Sequence, residues 1–537
     1  MIQALPFVAL DVALLTLAIR RPWHALVALL GILPLNGLIT QVAPVALGLD
    51  KPARLAVSGW HDALLIGIVL AAVWQLARMK DRRLTVVEWL VVAMLLLGAV
   101  YVAISPVVLT AAYAYRVLYE PPLLLAAITV LARRQPLPTW ALGRAAMAFV
   151  AGTVAGALFT WPQVYVLRYS FLQRYFTEPG QQIHHSYLAT GINQPRGIGL
   201  VTSPNEFGAV LAIAIVLLAV PGLVPIRHRW RFWLLGALSL ALVLSFSRSG
   251  MLATGVGLIA VGLLTRDQWL RPRAIWDRIR SRVGVVWGAP AAVVWAALLV
   301  VILTTSGAPK LVKDTISGVE PSAGGRVDSV LVGLKVLKEN PLGLGLGTAG
   351  PKAARFGETN GRPRILTETW YVLYAIQVGV FGLLLLALTA LAILLRAWRS
   401  RASPVARFVI AAAVGLGAGA LFIPIIEEPT IYTPLWAFAG LALALGAAAS
   451  GTGGRTAAIA DSASVTTSRL ASEDRSSPST FSRRALADRG SSSALLRIAK
   501  ARYGRSESAA SRATAAQSAS AGAGPHSTTG RWRTLPG

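Results

Sequence analysis

Residues 194–250 read QPRGIGLVTSPNEFGAVLAIAIVLLAVPGLVPIRHRWRFWLLGALSLALVLSFSRSG. Two apolar runs are strung between three polar knots: Arg196–Gly197, Pro204-Asn205-Glu206 and Ser247-Arg248-Ser249-Gly250. An arginine at the end of a membrane helix is costly, and it snorkels or faces a wet cavity. Arg248 stands in a tight turn with no linker before the next apolar run. The stretch reads as the floor of a cavity that receives an anion.

The rest of the chain sets this floor in a membrane. Of its 537 residues 55% are hydrophobic and only 14% charged, and the mean hydropathy is +0.61. Apolar runs of about 20 residues recur, each long enough to cross a bilayer core of roughly 30 Å. The runs are rich in Leu, Ala and Val without alternation, so they predict helices and not barrel strands. The expected fold is all-α, a polytopic helical bundle with twelve to thirteen membrane helices. They are placed near 3–19, 22–40, 59–76, 84–104, 110–132, 140–160, 204–219, 231–247, 250–265, 284–305, 368–396, 406–424 and 434–449. Residues 1–19 lack the basic start and small-residue end of a cleaved leader and are taken as a retained helix. With no cysteine in the chain, disulfides, thiolate chemistry and Cys-ligated zinc are excluded.

Lysine and arginine set the orientation. Alternate short loops, at Arg20–Arg21, Arg78–Arg83, Arg133–Arg134, Arg227–Arg231, Arg266–Arg282 and Arg396–Arg407, carry 21 basic residues. The other short loops hold six: Lys51, Arg54, Arg168, Arg174, Arg196 and Arg248. The positive-inside rule assigns the richer set to the cytoplasm. The 194–205 knot, the SRSG turn and the long loop 306–367 then share the outer face of a cytoplasmic (inner) membrane.

Residues 1–450 are thus expected to form the membrane domain, and 451–537 a different material. That tail is rich in Ser, Ala, Gly and Arg, with 13 basic and 5 acidic residues. It has too few large apolar residues to bury a core. It reads as a disordered cytoplasmic tail, either a solvated linker that adds to the inside charge or a contact for anionic lipid heads. No interleaved aromatic and basic surface accompanies it, so the net charge of +28 is no sign of nucleic-acid binding.

Within the long loop, Val327, Val330, Leu331, Leu334 and Leu337 recur at helical spacing, which predicts a surface helix ended by Asn340-Pro341. This helix brings Arg326 over the cavity mouth, or leaves it as a solvated helix-start residue. The following GLGLGTAG has no preceding strand and no Lys-Ser/Thr, so it is a close-approach loop and not a nucleotide motif. Glu368 stands where the loop enters the next helix, as a helix cap or as a base facing the cavity. In the predicted helix 110–132, Arg116 and Glu120 lie on one face ahead of Pro121-Pro122. Opposite charges in a membrane must pair; the pair is either structural or lines the cavity with Arg116 partly free for ligand, and the second is the expectation. Asp11 is given no role, and no metal cluster is visible.

These residues resemble the O-antigen ligase and polymerase family of bacterial membrane glycosyltransferases. The resemblance runs over about 196–386. It rests on R-G-x-G-x-x-x-S-P-N at 196–205, S-R-S-G at 247–250, G-R at 325–326, N-P-L-G-L-G at 340–345, and a polar residue followed by x-x-Y and a Gly-x-x-Gly helix at 368–382. The resemblance implies an inverting, metal-independent transfer on the outer face, without cofactor. The donor is a polyprenyl-diphosphate-linked glycan and the acceptor a glycan or lipid hydroxyl. Arg196, Arg248 and Arg326 would hold the diphosphate, with Asn205, Arg116 and Glu120 also at the substrate. One departure stands out. Many members have His-Asn where this chain has Glu368-Thr369, so either Glu368 replaces the histidine as base or the acceptor differs. His184-His185 is taken as a loop feature.

The residue types suit that chemistry. A leaving diphosphate gains negative charge, which fixed guanidiniums stabilise. A flippase of lipid-linked glycan would also need cavity arginines, but no internal repeat or matched pair of broken helices is present. A non-catalytic assembly protein is the other alternative, and the one-sided clustering of polar residues argues against it. The 21-to-6 asymmetry carries the topology, so reporter fusions at Ser317 and Thr452 are expected to report opposite compartments. The same compartment for both would overturn it.

Overall fold

The structure is a computed structural model. It describes residues 2–447 apart from 81, 178–182, 184–186, 190–193, 270–320, 351–366, 368 and 423–427. The expected helix 284–305, Glu368, His184, His185 and the tail from 451 lie outside the described residues.

The protein is a polytopic helical membrane bundle. In chain order come α1 (Leu5–Arg20), α2 (Pro22–Ile32), α3 (Ala43–Ala46), α4 (Lys51–Ser58), α5 (Trp60–Ala77), α6 (Val86–Ala103) and α7 (Val108–Arg134). Next are α8 (Thr139–Pro162), α9 (Arg168–Tyr175), α10 (Pro204–Ala219), α11 (His228–Leu244) and α12 (Arg248–Trp269). Then follow α13 (Pro321–Glu339), α14 (Trp370–Arg399) and α15 (Pro404–Ala420), and α16 (Pro429–Ala447). Among the described residues, eight helices are long and apolar enough to cross a membrane, with one further bent pair and the shorter apolar α10 and α15.

Burial orders the bundle. Every residue of α10 from Glu206 to Leu218 is buried, so this helix is surrounded by protein on all sides. On α1 only Ala18 is buried; its apolar side chains face outward, as at a lipid boundary. Ends are capped where the sequence allows. Thr85 and Glu88 form a reciprocal capping box on α6. The same Glu88 is buried, accepts a bond from Thr129 Oγ1 at 2.6 Å and pairs with Arg133, which ties α6 to α7.

Two spans depart from the sequence reading. The expected continuous helix 22–40 is broken: Pro22–Leu35 and Leu38–Ala46 meet at a bend of 67°. Pro34 sits in a tight turn at Leu33–Leu35, and Gly37 lets the bend pass against the Val201 backbone with no room for a Cβ. The second concerns α8, expected to end near residue 160. It runs on through a π turn, Gln163–Leu167, into α9, taking up part of what reads as loop.

The predicted surface helix is α13, and it ends at Glu339, before Asn340-Pro341. Its packed face differs from the expected apolar stripe. Gly333 is buried against Val372 of α14, with Val336 beside it, while Leu331 and Leu334 are exposed.

The loop after α13 re-enters the bundle. Helix α14 is interrupted at Gly379, whose φ is 68° and ψ −179°. Residues 341–345 lie in the break: Leu344 N donates to Ile376 O at 2.8 Å, Gly345 N to Gln377 O at 3.1 Å, and Val380 N to Pro341 O at 2.9 Å. Buried Gln377 turns its Oε1 to accept from Gly347 N at 2.9 Å. From α6 and the turn after it, Tyr101 OH donates to Leu342 O and Ser105 Oγ to Leu346 O. The GLGLG motif is needed because Gly343 has φ 84° and a Cβ there would lie 2.5 Å from Gly379 N. Gly343→Ala is therefore expected to cost about 2 kcal/mol or more, from a left-handed φ and overpacking together. Thermal unfolding of the purified protein in detergent checks this, with Leu342→Ala, an exposed neighbour, as the near-neutral control.

Candidate functional site

The site is built where α10 and α12 cross. A Cβ on Gly250 would lie 2.7 Å from the Gly208 carbonyl carbon, so only a glycine pair lets the two helices meet this closely. The crossing is at the start of both helices, and their N-termini end up side by side. Ser203 caps α10, its Oγ accepting from Glu206 N at 3.2 Å. The turn before α12 is equally tight: Ser245 Oγ accepts from Ser247 N at 3.2 Å, Ser247 Oγ from Gly250 N at 3.2 Å, and Phe246 has φ 48°. Ser245, Ser247 and Ser249 are buried, and Arg248, the first residue of α12, is half-buried. Two helix N-termini thus share one place, with Arg248 as the first residue of one of them, and helix N-termini favour an anion.

Arg196 holds this place together. Its Nε donates to Ser245 O at 3.0 Å, and its Nη2 to Asn205 Oδ1 at 2.7 Å and to Phe246 O at 3.2 Å. It therefore braces the turn carrying Arg248 against the first turn of α10. Asn205, expected at the substrate, is the other end of this brace. The arginine is aimed by its own loop. Arg196 N donates to Tyr187 O at 2.8 Å, Gly197 N to Leu244 O at 2.9 Å, and Ile198 N and Gly199 N to the Oε1 of buried Gln163 at 3.1 and 3.2 Å. A short ladder pairs Leu188 with Pro195 and Ala189 with Gln194.

Glu206, quoted in the polar knot of the sequence but given no role there, is the hub of the next layer. Its Oε2 accepts from Thr202 N at 2.9 Å and from Thr202 Oγ1, and its Oε1 accepts from Thr430 Oγ1. The carboxylate clamps the 196–203 loop to the start of α16. Glu428 is near enough for its charge to act on Glu206 and on Tyr187. Tyr187 OH donates to Thr202 O at 3.1 Å. Burial, with the two carboxylates adding to it, pushes that phenol up to about 12, so it remains a donor at neutral pH. Ser203 and Glu206 are in capping-box spacing, a signal visible in the sequence; the reach to Thr430 is not.

Arg116 and Glu120 form the expected i,i+4 pair, and Asp62 joins it. Arg116 Nε donates to Asp62 Oδ1 at 3.1 Å and its Nη2 pairs with Asp62 Oδ2, while Glu120 Oε1 is 3.5 Å away. The guanidinium is engaged by two carboxylates. The sequence showed no metal cluster; the fold brings His61, Asp62 and Glu120 within mutual reach. Arg326 lies on α13, but its side chain is outside the described residues, as is Glu368, two positions before α14 begins. An apolar cavity of about 190 Å³ lies between α14, α15 and α16, lined by Trp370, Leu386, Leu416, Tyr432 and Trp436 among others. Among the described residues, none of those expected at the site lines it.

The Glu206 clamp is testable. Glu206→Ala strands buried donors at about 1–3 kcal/mol each and is expected to lower thermal stability by several degrees. Glu206→Gln keeps an acceptor, and the threonine hydroxyls can rotate to suit it, so its loss is expected to be well under half as large. Equal melting of Ala and wild type would remove the clamp.

Residues 232–387 match the family model described as O-antigen ligase. No curated protein matches the chain. The matched segment contains the SRSG turn, α13, the re-entrant loop and the break at Gly379, while Arg196, Glu206 and Thr430 lie outside it. On this match, and on the motifs that agree with it, residues 232–387 form a domain of the O-antigen ligase family.

Proposed function

We propose that the protein is a membrane glycosyltransferase that moves a glycan from a polyprenyl-diphosphate carrier to an acceptor hydroxyl, as a surface-polysaccharide ligase or polymerase. It works on the outer face of the cytoplasmic membrane, with loop 306–367 assigned to that same face, 196–386 as its core and the 451–537 tail assigned to the cytoplasmic side. One observation carries this reading: the paired N-termini of α10 and α12 with Arg248 at their junction.

In the reaction the bond between the sugar C1 and the diphosphate oxygen breaks, and the acceptor oxygen bonds C1 from the opposite side, inverting it. The bonding electrons leave with the lipid diphosphate. Arg248 and the two helix ends stabilise that growing charge, which makes the reading a metal-independent one. Arg196 and Asn205 keep Arg248 in place, and Arg326 supplies further positive charge from α13. The hydroxyl proton passes to Glu368 at the mouth of α14. A base so placed typically contributes 10²–10⁴-fold. The apolar cavity beside α14 has the chemistry a prenyl chain requires, and membrane lipids surround the bundle.

Transfer between purified lipid-linked donor and acceptor in proteoliposomes tests this. Arg248→Ala is expected to abolish transfer at normal protein level. Arg248→Lys is expected to restore little, because a point charge lacks the planar fork that grips a diphosphate. Full activity of the lysine variant would overturn the bidentate role. Translocation of donor without transfer would overturn the enzyme reading.

A further inference from the structure

A second cluster of charged side chains lies in the N-terminal half, outside the segment that matches the ligase family. His61 and Asp62 begin α5, Arg116 and Glu120 lie along α7, and Asp11 reaches in from α1. A Cβ on Gly59 would stand 2.7 Å from Asp11 Oδ2, and Asp11 is near enough to act on Asp62. The His61 side chain is only 10% exposed, and those of Asp62 and Glu120 are 18% and 16% exposed.

We propose that His61, Asp62 and Glu120 form a divalent-cation site of the kind zinc occupies, fastening α5 to α7. Its geometry is the first reason. His61 Nε2 is 3.0 Å from Asp62 Oδ1 and 3.7 Å from Glu120 Oε2, and one atom from each residue lies within 4.8 Å of the others. A tetrahedral ion with bonds of about 2.0–2.1 Å holds its ligands roughly 3.3 Å apart, a value the two spacings bracket. An imidazole with two carboxylates is a donor set that zinc accepts.

Arg116 fits the surrounding shell rather than competing for the centre. It holds Asp62 through both carboxylate oxygens and approaches Glu120 at Oε1, leaving Oε2 turned to His61. Ligating carboxylates are commonly oriented by such outer hydrogen bonds. Charge is the independent reason. With His61 neutral, Asp11, Asp62 and Glu120 oppose the single charge of Arg116, an excess of two negatives. Such an excess among apolar helices is costly, and a dication cancels it.

The test uses the full chain, purified by a tag that binds no metal, stripped with chelator and dialysed against zinc ion alone. Elemental analysis is expected to find about one zinc per chain in wild type and in His24→Gln, and far less in His61→Gln and Glu120→Gln. Zinc should raise the melting temperature of the wild type and leave the two ligand variants unmoved. Cobalt(II) loaded into the wild-type chain gives a readout that needs no variant. The visible bands of a four-coordinate ion are expected, and their absence overturns the site. Equal zinc content in wild type and His61→Gln overturns it as well. Absence of zinc uptake with an unmoved melting temperature overturns the site and leaves the cluster a closed ion network. Transfer activity plays no part in these readouts, so their outcome is separate from that of the glycosyltransferase reading.

Discussion

A helix that breaks inside a membrane must find new partners for its backbone groups, because lipid offers none. Everything on the C-terminal side of this bundle follows from how that is met at Gly379. The amides and carbonyls around the break pair with residues 341–345, and Gln377 adds its side chain to Gly347. The loop is thereby sewn into α14 as a run of tight turns. Because the loop follows α13 directly, the same bonds fix where α13 ends, and Gly333 then sets how closely its body lies on α14. Four glycines of the loop, at 343, 345, 347 and 350, have positive φ. At 343 and 347 a side chain would strike backbone.

The proposed anion site uses the same economy of backbone. Helix ends are polar whatever the sequence, and the Gly208–Gly250 contact brings two of them to one spot. Side chains then hold the arrangement: Arg196 across the SRSG turn, Gln163 beneath the RGIG loop, Glu206 from that loop to Thr430. A guanidinium that is hydrogen-bonded to two carbonyls and an amide oxygen moves little. The half-buried Arg248 therefore starts α12 from a braced turn, and preorganised stabilisation of a leaving group, the role proposed for it, requires such a frame.

The helices were legible because apolar runs of membrane length are a strong signal. Twelve of the thirteen expected have a helical counterpart among the described residues, 22–40 with its bend. That bend was hidden, since Pro34 and Gly37 each occur in straight membrane helices, and only the approach of Val201 makes the turn necessary. Arg196, Asn205 and Arg248 were found together because they are neighbours in two short motifs. The bracing role of Arg196 was not, because it depends on carbonyls at 245 and 246, which every residue has. Arg116 was matched with Glu120 by its i,i+4 spacing, and that pair is present; its further partner Asp62, 54 positions away, was not seen. Contacts of that range leave no period in a sequence.

The length of α10 has its own consequence. Its 16 residues rise about 24 Å, less than the roughly 30 Å of a hydrocarbon core. A lipid-facing helix this short would pull the bilayer thinner or tilt with it. This one is encased by protein along its length, with loop 196–203 above one end and the turn at 221–227 below the other. Membrane thickness therefore presses on the peripheral helices, of which α1 is the most exposed, and not on the floor of the site. The depth of that floor is a property of the protein, unchanged when the bilayer around it thickens or thins.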